Sequence, residues 1–252
     1  MEKDIISALV LAALLGAYFV LGRKRGGPSQ QVLGTLASSV SRMRALAQRD
    51  PKYLPVPGDG RAPMAGTEYY EAVSKELAAA GCRELGDRVE ETPEGTLTAP
   101  SRWFVDGPGT ACGWFGVVAA PNARVVRQVM YLFSEAKGGD FYVTGRGGGN
   151  AGTAAPPTQH LAECRWADGL ARQLEVHRAQ IPAGERATLT QVATMDDALA
   201  LAGRMRLAKR EWRGRQPADA LLELDLRQIL QDRYPTVGAP LATYMKSQGL
   251  AG

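Results

Sequence analysis

Hydrophobic and polar positions alternate with different periods along this chain, and the changes of period mark its parts. Residues Ile5 to Gly22, "IISALVLAALLGAYFVLG", carry no charge at all. At about 1.5 Å of rise per residue, that run makes roughly 27 Å of helix, close to the ~30 Å hydrocarbon core of a bilayer. Arg23 to Arg25 follow it, while the "MEKD" before it has no net positive charge. A secretory leader has a basic start and a small-x-small cleavage site, so the pattern predicts a single-span anchor instead. The positive-inside rule then puts everything after Arg25 in the cytoplasm, at the inner membrane. Ala8, Ala12 and Gly16 recur every fourth residue, a spacing that lets two such helices approach and form a homo-oligomer, although alanine is common throughout the chain.

After the flexible "GGPSQQ", Val32, Leu36, Val40, Met43 and Leu46 fall at three- and four-residue intervals and predict a helix from Gln31 to about Arg49. Arg42, Arg44 and Arg49 lie off that stripe. Asp50 to Gly66 holds four prolines and three glycines and reads as a linker without a regular element. Thr67 then opens a helix with Tyr70, Val73, Leu77 and Ala80 on one face and Gly81 as its C-cap.

From there strand signals take over. "CRELGDRVEE" is weak, but Ser101–Asp106, Ala111–Ala120, Arg124–Glu135 and the run from Phe141 are apolar segments separated by short turns. Strands joined so tightly pair antiparallel, which predicts a meander of about four or five strands between residues 82 and 144. Helical spacing returns for Pro157 to Ile181, Thr194 to about Arg213 and Ala218 to Tyr234, with a short helix after Pro240. No β-α-β alternation occurs, so the expected class is α+β: an anchor (1–25), a juxtamembrane helix and linker (26–66), and a cytoplasmic domain (67–252) whose sheet packs against helices from about 157 to 248.

Composition narrows the function classes. The chain has 252 residues, 45% hydrophobic and 22% charged, with a formal charge of +4. That excess is too small to imply nucleic acid without a clustered patch. Cys82, Cys112 and Cys164 are odd in number and widely spaced, which fits a reducing compartment rather than a disulfide framework.

The motifs are suggestive and incomplete. Gly147, Gly149 and Gly152 match G-x-G-x-x-G, yet "TAAPP" follows, so no helix can open inside the motif to meet a pyrophosphate. The stretch reads as a mobile loop, with Arg146 as its candidate anion contact. His160 and Cys164 share a face at helical spacing, but zinc needs three or four ligands, and no metal or cofactor is expected. Cys112 looks mid-strand and packed; no G-x-S-x-G elbow occurs. Glu90–Glu91 and Asp196–Asp197 do not read as an acid/base pair held in a cleft.

Two features point to binding. Trp103, Phe104, Trp114, Phe115, Tyr131, Phe133, Phe141 and Tyr142 gather most of the aromatics into some forty residues. They make either a plain core or an aromatic-lined pocket between sheet and helices, with Arg102, Asp106 and Arg127 as its polar groups. On the Thr194–Arg213 helix, Arg206, Lys209, Arg210 and Arg213 share an arc beside the apolar stripe. That arc suits an anionic lipid surface or an acidic protein partner. The expected function is a membrane-anchored, cytoplasm-facing binding module without catalysis. The alternative is an enzyme acting on a lipid-derived or phosphorylated small molecule beneath the glycine-rich stretch 145–152.

Overall fold

The computed structural model describes residues 28–56, 67–91, 100–119, 126–146 and 152–250. Seven strands form one sheet in chain order: β1 (Lys52–Pro55), β2 (Arg83–Glu91), β3 (Ser101–Val105), β4 (Cys112–Ala119), β5 (Val126–Glu135), β6 (Phe141–Arg146) and β7 (Gln159–Cys164). Neighbours from β1 to β6 pair antiparallel, whereas β6 and β7 run parallel. Among the described residues six α-helices accompany them: α1 (Gln30–Ala47), α2 (Thr67–Ala79), α3 (Gly169–Gln180), α4 (Met195–Gly214), α5 (Ala218–Leu230) and α6 (Tyr234–Ser247).

The expected fold is therefore corrected. The class is α+β, but the sheet is a seven-stranded mixed one, not an antiparallel meander of four or five strands. Two strands escaped the hydrophobic pattern. β1 lies inside the supposed linker; it is an edge strand, where Pro55 is tolerated because no second neighbour needs its missing N–H. β7, "QHLAEC", falls where one long helix was expected from Pro157; its short polar run carries no clean period of two. The expected anchor, residues 5–22, lies outside the described residues, and no helix among these is long and apolar enough to cross a membrane.

Period-two alternation splits the sheet into two faces. Trp103, Val105, Cys112, Phe133, Phe141 and Val143 pack against Met195, Ala198, Leu201 and Ala202 of α4. Phe104, Phe115, Met130 and Leu132 pack on the opposite side against Tyr70, Val73 and Leu77 of α2 and Leu170 and Leu174 of α3. A separate core joins the remaining helices: Leu36, Val40 and Met43 of α1 meet Leu222 and Leu226 of α5 and Leu241 and Met245 of α6.

α4 borders both the sheet and this helical core, and its ends explain why it forms there. Thr194 caps it by accepting from the Asp197 amide at 3.2 Å, and the Asp197 carboxylate accepts in turn from the Thr194 amide at 2.9 Å. Gly81, predicted to end α2, adopts φ +71°, a conformation that costs a residue without Cβ little.

Candidate functional site

A cavity of about 330 Å³ opens between α4 and the sheet. Trp114 of β4, Tyr131 and Phe133 of β5 and Val143 of β6 supply the sheet wall, and Met205 of α4 stands across from them. The Trp114 and Tyr131 rings lie side by side because their residues are register partners, with centroids 5.0 Å apart and planes tilted by 40°. The remaining rim comes from Gly152, Thr153 and Ala155 and from Gln159 and Leu161 of β7.

Two cations complete the lining, Arg206 and Lys209, and none of the described lining residues is acidic. Each is fixed by a backbone or ring contact and not by a carboxylate. Arg206 donates to the Tyr53 hydroxyl and stacks its guanidinium over that ring, 5.0 Å from the centroid. Lys209 Nζ donates to the Thr153 carbonyl at 2.8 Å. Burial pushes the Lys209 ammonium down to about 8; the nearby positive charge of Arg213 adds to this, and Asp225 opposes it. The Gln159 Oε1 atom is buried without a described hydrogen-bond partner, which costs free energy unless a donor reaches it.

The eight polar residues singled out from the sequence are dispersed. Arg102 lies on the face opposite Trp103, because adjacent strand residues point apart. There its Nε and Nη2 meet Asp87 at 2.8 and 3.2 Å and its Nη1 meets Ser74 at 3.0 Å. Arg146 is on that same far face, bonded to Glu76 at 3.1 Å and stacked 4.0 Å over Trp166. Asp106 closes a turn by accepting from the Thr110 and Ala111 amides at 2.8 and 2.9 Å. Arg127 sits on β5 opposite Val118.

On α4, only Arg206 and Lys209 reach the cavity. Arg210 pairs with Asp50 at 2.6 Å. Arg213 is buried and grips Asp225 through Nη1 and Nη2 at 2.6 and 2.8 Å. A flat anionic surface could engage all four together only if Arg213 left Asp225.

A second cavity, about 240 Å³, is bordered by Asp106, Ser134, His177 and Arg178. Ser134 Oγ is 2.9 Å from His177 Nε2, the spacing of a nucleophile and its base. The proton order runs the other way. Ser134 donates to the Thr110 carbonyl at 2.7 Å, so it accepts from His177 Nε2–H. Thr144 Oγ1 accepts from Gln180 at 2.8 Å and donates to His177 Nδ1 at 2.9 Å. His177 is thus a neutral imidazole with every polar atom satisfied, and burial holds it down to about 4, with Arg178 adding to the effect.

The cysteines and the other histidine play structural parts. Burial pushes the Cys112 thiol far up, and it raises Cys82 to about 11, so neither is a ready thiolate. His160 and Cys164 lie on β7 and not on a helix; His160 Nε2 meets Asp140 at 3.0 Å and its ring stacks on Tyr142. Among the described residues no group of three or more His, Cys, Asp or Glu side chains could hold a metal ion.

Sequence reasoning missed Tyr53, Gln159 and Thr153 as parts of the site. Tyr53 was hidden by the prolines around β1, and Gln159 by the helical reading of β7. Thr153 acts through its carbonyl, which no residue type encodes. Comparison with protein-family models, with curated proteins and with solved structures finds no match.

Proposed function

We propose that this chain is a ligand-binding module, without a catalytic step of its own, whose site is the cavity between α4 and the sheet. The observation that carries the reading is the composition of its wall: neighbouring aromatic rings on one side, two cations on the other, and no described carboxylate between them. A preformed apolar cleft with a few convergent polar groups is the usual form of a small-molecule site. The matching ligand is a small amphipathic anion, with a ring or branched apolar body against Trp114 and Tyr131 and a carboxylate or similar head at Arg206 and Lys209.

The volume limits its size. At about 30 Å³ for each water in the liquid, 330 Å³ corresponds to roughly ten waters, room for a ring with a short side chain.

The enzyme alternative puts its site beneath the stretch 145–152, of which residues 147–151 lie outside the described residues and Gly152 lines this cavity. Binding is favoured over turnover because the described lining sets no histidine, carboxylate, cysteine or serine beside its one amine, Lys209, to move a proton for it. Placement of the module at the cytoplasmic face of a membrane belongs to the same proposal and rests on composition alone, on the uncharged stretch 5–22 and the basic Arg23–Arg25 after it.

Isothermal titration of the full chain with 3-phenylpropionate and with its neutral amide tests the reading. The acid should bind about tenfold or more tightly than the amide, since a charge-assisted hydrogen bond contributes about 1.5–3 kcal/mol. Added salt should weaken the acid more than the amide. Equal affinities for the two would refute the assignment of Arg206 and Lys209 to an anionic head.

A further inference from the structure

Lys209 differs in its surroundings from the lysines that sit on the surface. Lys52 and Lys246 keep 68% and 47% of their side chains exposed and pair with Glu91 and Asp219. Lys209 has instead a carbonyl partner, Thr153, and a place on the wall of the aromatic cavity. The charged groups around it oppose its ammonium form on balance. Arg213 is close enough to repel it, and Arg206 precedes it by one turn on α4. The acid that favours its ammonium form, Asp225, is already shared by Arg44, Arg213 and the Ala154 amide. Near neutral pH a larger share of this amine is therefore unprotonated than of an ordinary lysine. A neutral amine can keep its hydrogen bond to the Thr153 carbonyl with one N–H and still present its lone pair.

The neighbour that fixes what it meets is Arg206. Three residues apart on one helix, the two side chains begin about 5–6 Å from each other. A 2-oxo acid carries its ketone directly beside its carboxylate, so one small head can reach both.

We infer that Lys209 captures a small aromatic or branched 2-oxo acid as a reversible imine, with the ligand's carboxylate at Arg206 and its apolar body between Trp114, Tyr131 and Met205. The inference rests on the proposed ligand site and adds to it a covalent bond. The lone pair of Nζ attacks the ketone carbon and forms a C–N bond. The nitrogen gives up both of its protons, the carbonyl oxygen takes up two, and it departs as water with the breaking of its bond to carbon. A C=N bond remains, and nothing is oxidised or reduced. Hydrolysis reverses each step, so the event is capture and release without turnover.

Trapping tests it. The full chain is incubated with phenylpyruvate and sodium cyanoborohydride, which fixes an imine as a secondary amine, and the adduct is mapped by peptide mass spectrometry. A single adduct at Lys209 is expected, forming at least about tenfold faster than any adduct at Lys52 or Lys246. It should be suppressed by excess 3-phenylpropionate and absent in Lys209→Arg of unchanged melting temperature. Labelling spread evenly over the lysines, in a protein that still binds 3-phenylpropionate, would overturn the imine and leave the ligand site standing. Absence of 3-phenylpropionate binding together with absence of the adduct would overturn the ligand site and the imine with it. Labelling of Lys209 that 3-phenylpropionate does not suppress would overturn the shared placement of the two in one cavity.

Discussion

Arg213 of α4 and Asp225 of α5 form a buried, two-pronged ion pair, with Nη1–Oδ1 and Nη2–Oδ2 at 2.6 and 2.8 Å. The same carboxylate accepts from Arg44 of α1 at 3.0 Å and from the Ala154 amide at 2.8 Å. One side chain therefore joins the α1–α5–α6 core, the helix that covers the sheet and the segment that rims the ligand cavity.

Asp225→Ala should cost about 3–5 kcal/mol of stability, because it leaves the buried Arg213 guanidinium without its charge partner. Urea unfolding measures this. Asp225→Asn, which keeps the shape and some acceptors, should lose less. A change below ~1 kcal/mol for the alanine variant would mean that the helical core does not depend on this carboxylate.

His177 makes stability fall with acid. Its folded pKa, about 4, is depressed below the usual 6.5, so the unfolded chain binds the proton more readily. The contribution is complete above pH 6.5 and is lost progressively as pH falls from there towards 4, by on the order of 3 kcal/mol. Denaturation midpoints of wild type and His177→Gln between pH 4 and 7.5 check it; the variant should show a shallower loss over that window. Parallel curves would remove His177 as the cause.

Gly113 on β4 has no room for a side chain. An added Cβ would stand 2.1 Å from the Tyr131 carbonyl oxygen and 2.8 Å from the Phe104 ring. Gly113→Ala should therefore destabilise by about 1–3 kcal/mol, the usual cost of overpacking, with the backbone contact favouring the upper end. It should also disturb ligand binding, since Tyr131 is part of the cavity wall. A thermal melt within 1 °C of wild type would contradict this close approach.

Trp114→Ala separates ligand binding from folding. Trp114 is only half-buried, so its loss should affect stability less than loss of the fully buried Trp103 would. Its ring is one of the three aromatic rings that line the cavity from the sheet. The variant should bind 3-phenylpropionate at least about fivefold more weakly while Trp103→Ala loses about 3–5 kcal/mol of stability. Titration and melting on the two variants give the comparison, and unchanged binding in Trp114→Ala would place the ligand elsewhere.

What the sequence made legible follows the length of its periodic runs. α1, α2, α4 and α5 each carry an apolar stripe long enough to read, and Thr194 with Asp197 marks the start of α4 unambiguously. The aromatic concentration was legible first as the packed core that most of its rings form, and only then as the cavity that Trp114, Tyr131 and Phe133 border. Its polar groups were not, because proximity in sequence hides strand parity: Arg102 adjoins Trp103 in the chain yet faces the other side of the sheet. Helix parity misled in the same way. Arg206, Lys209, Arg210 and Arg213 share an arc on a wheel, but the wheel does not show Tyr53, Thr153, Asp50 and Asp225, which arrive from distant segments and give each cation a different task. Arg44 was read as off the apolar stripe and is buried all the same, because Asp225 meets it there.

The most direct measurement is the methyl NMR spectrum of the full chain, selectively labelled at methionine, during titration with 3-phenylpropionate. Met205 lines the cavity, whereas Met245 is buried in the α1–α5–α6 core. The ligand site predicts a saturable shift of the Met205 methyl signal, with Met245 unmoved and the effect abolished by Arg206→Gln combined with Lys209→Gln. A Met205 signal that stays fixed while the ligand binds would contradict the assignment of this cavity as the site.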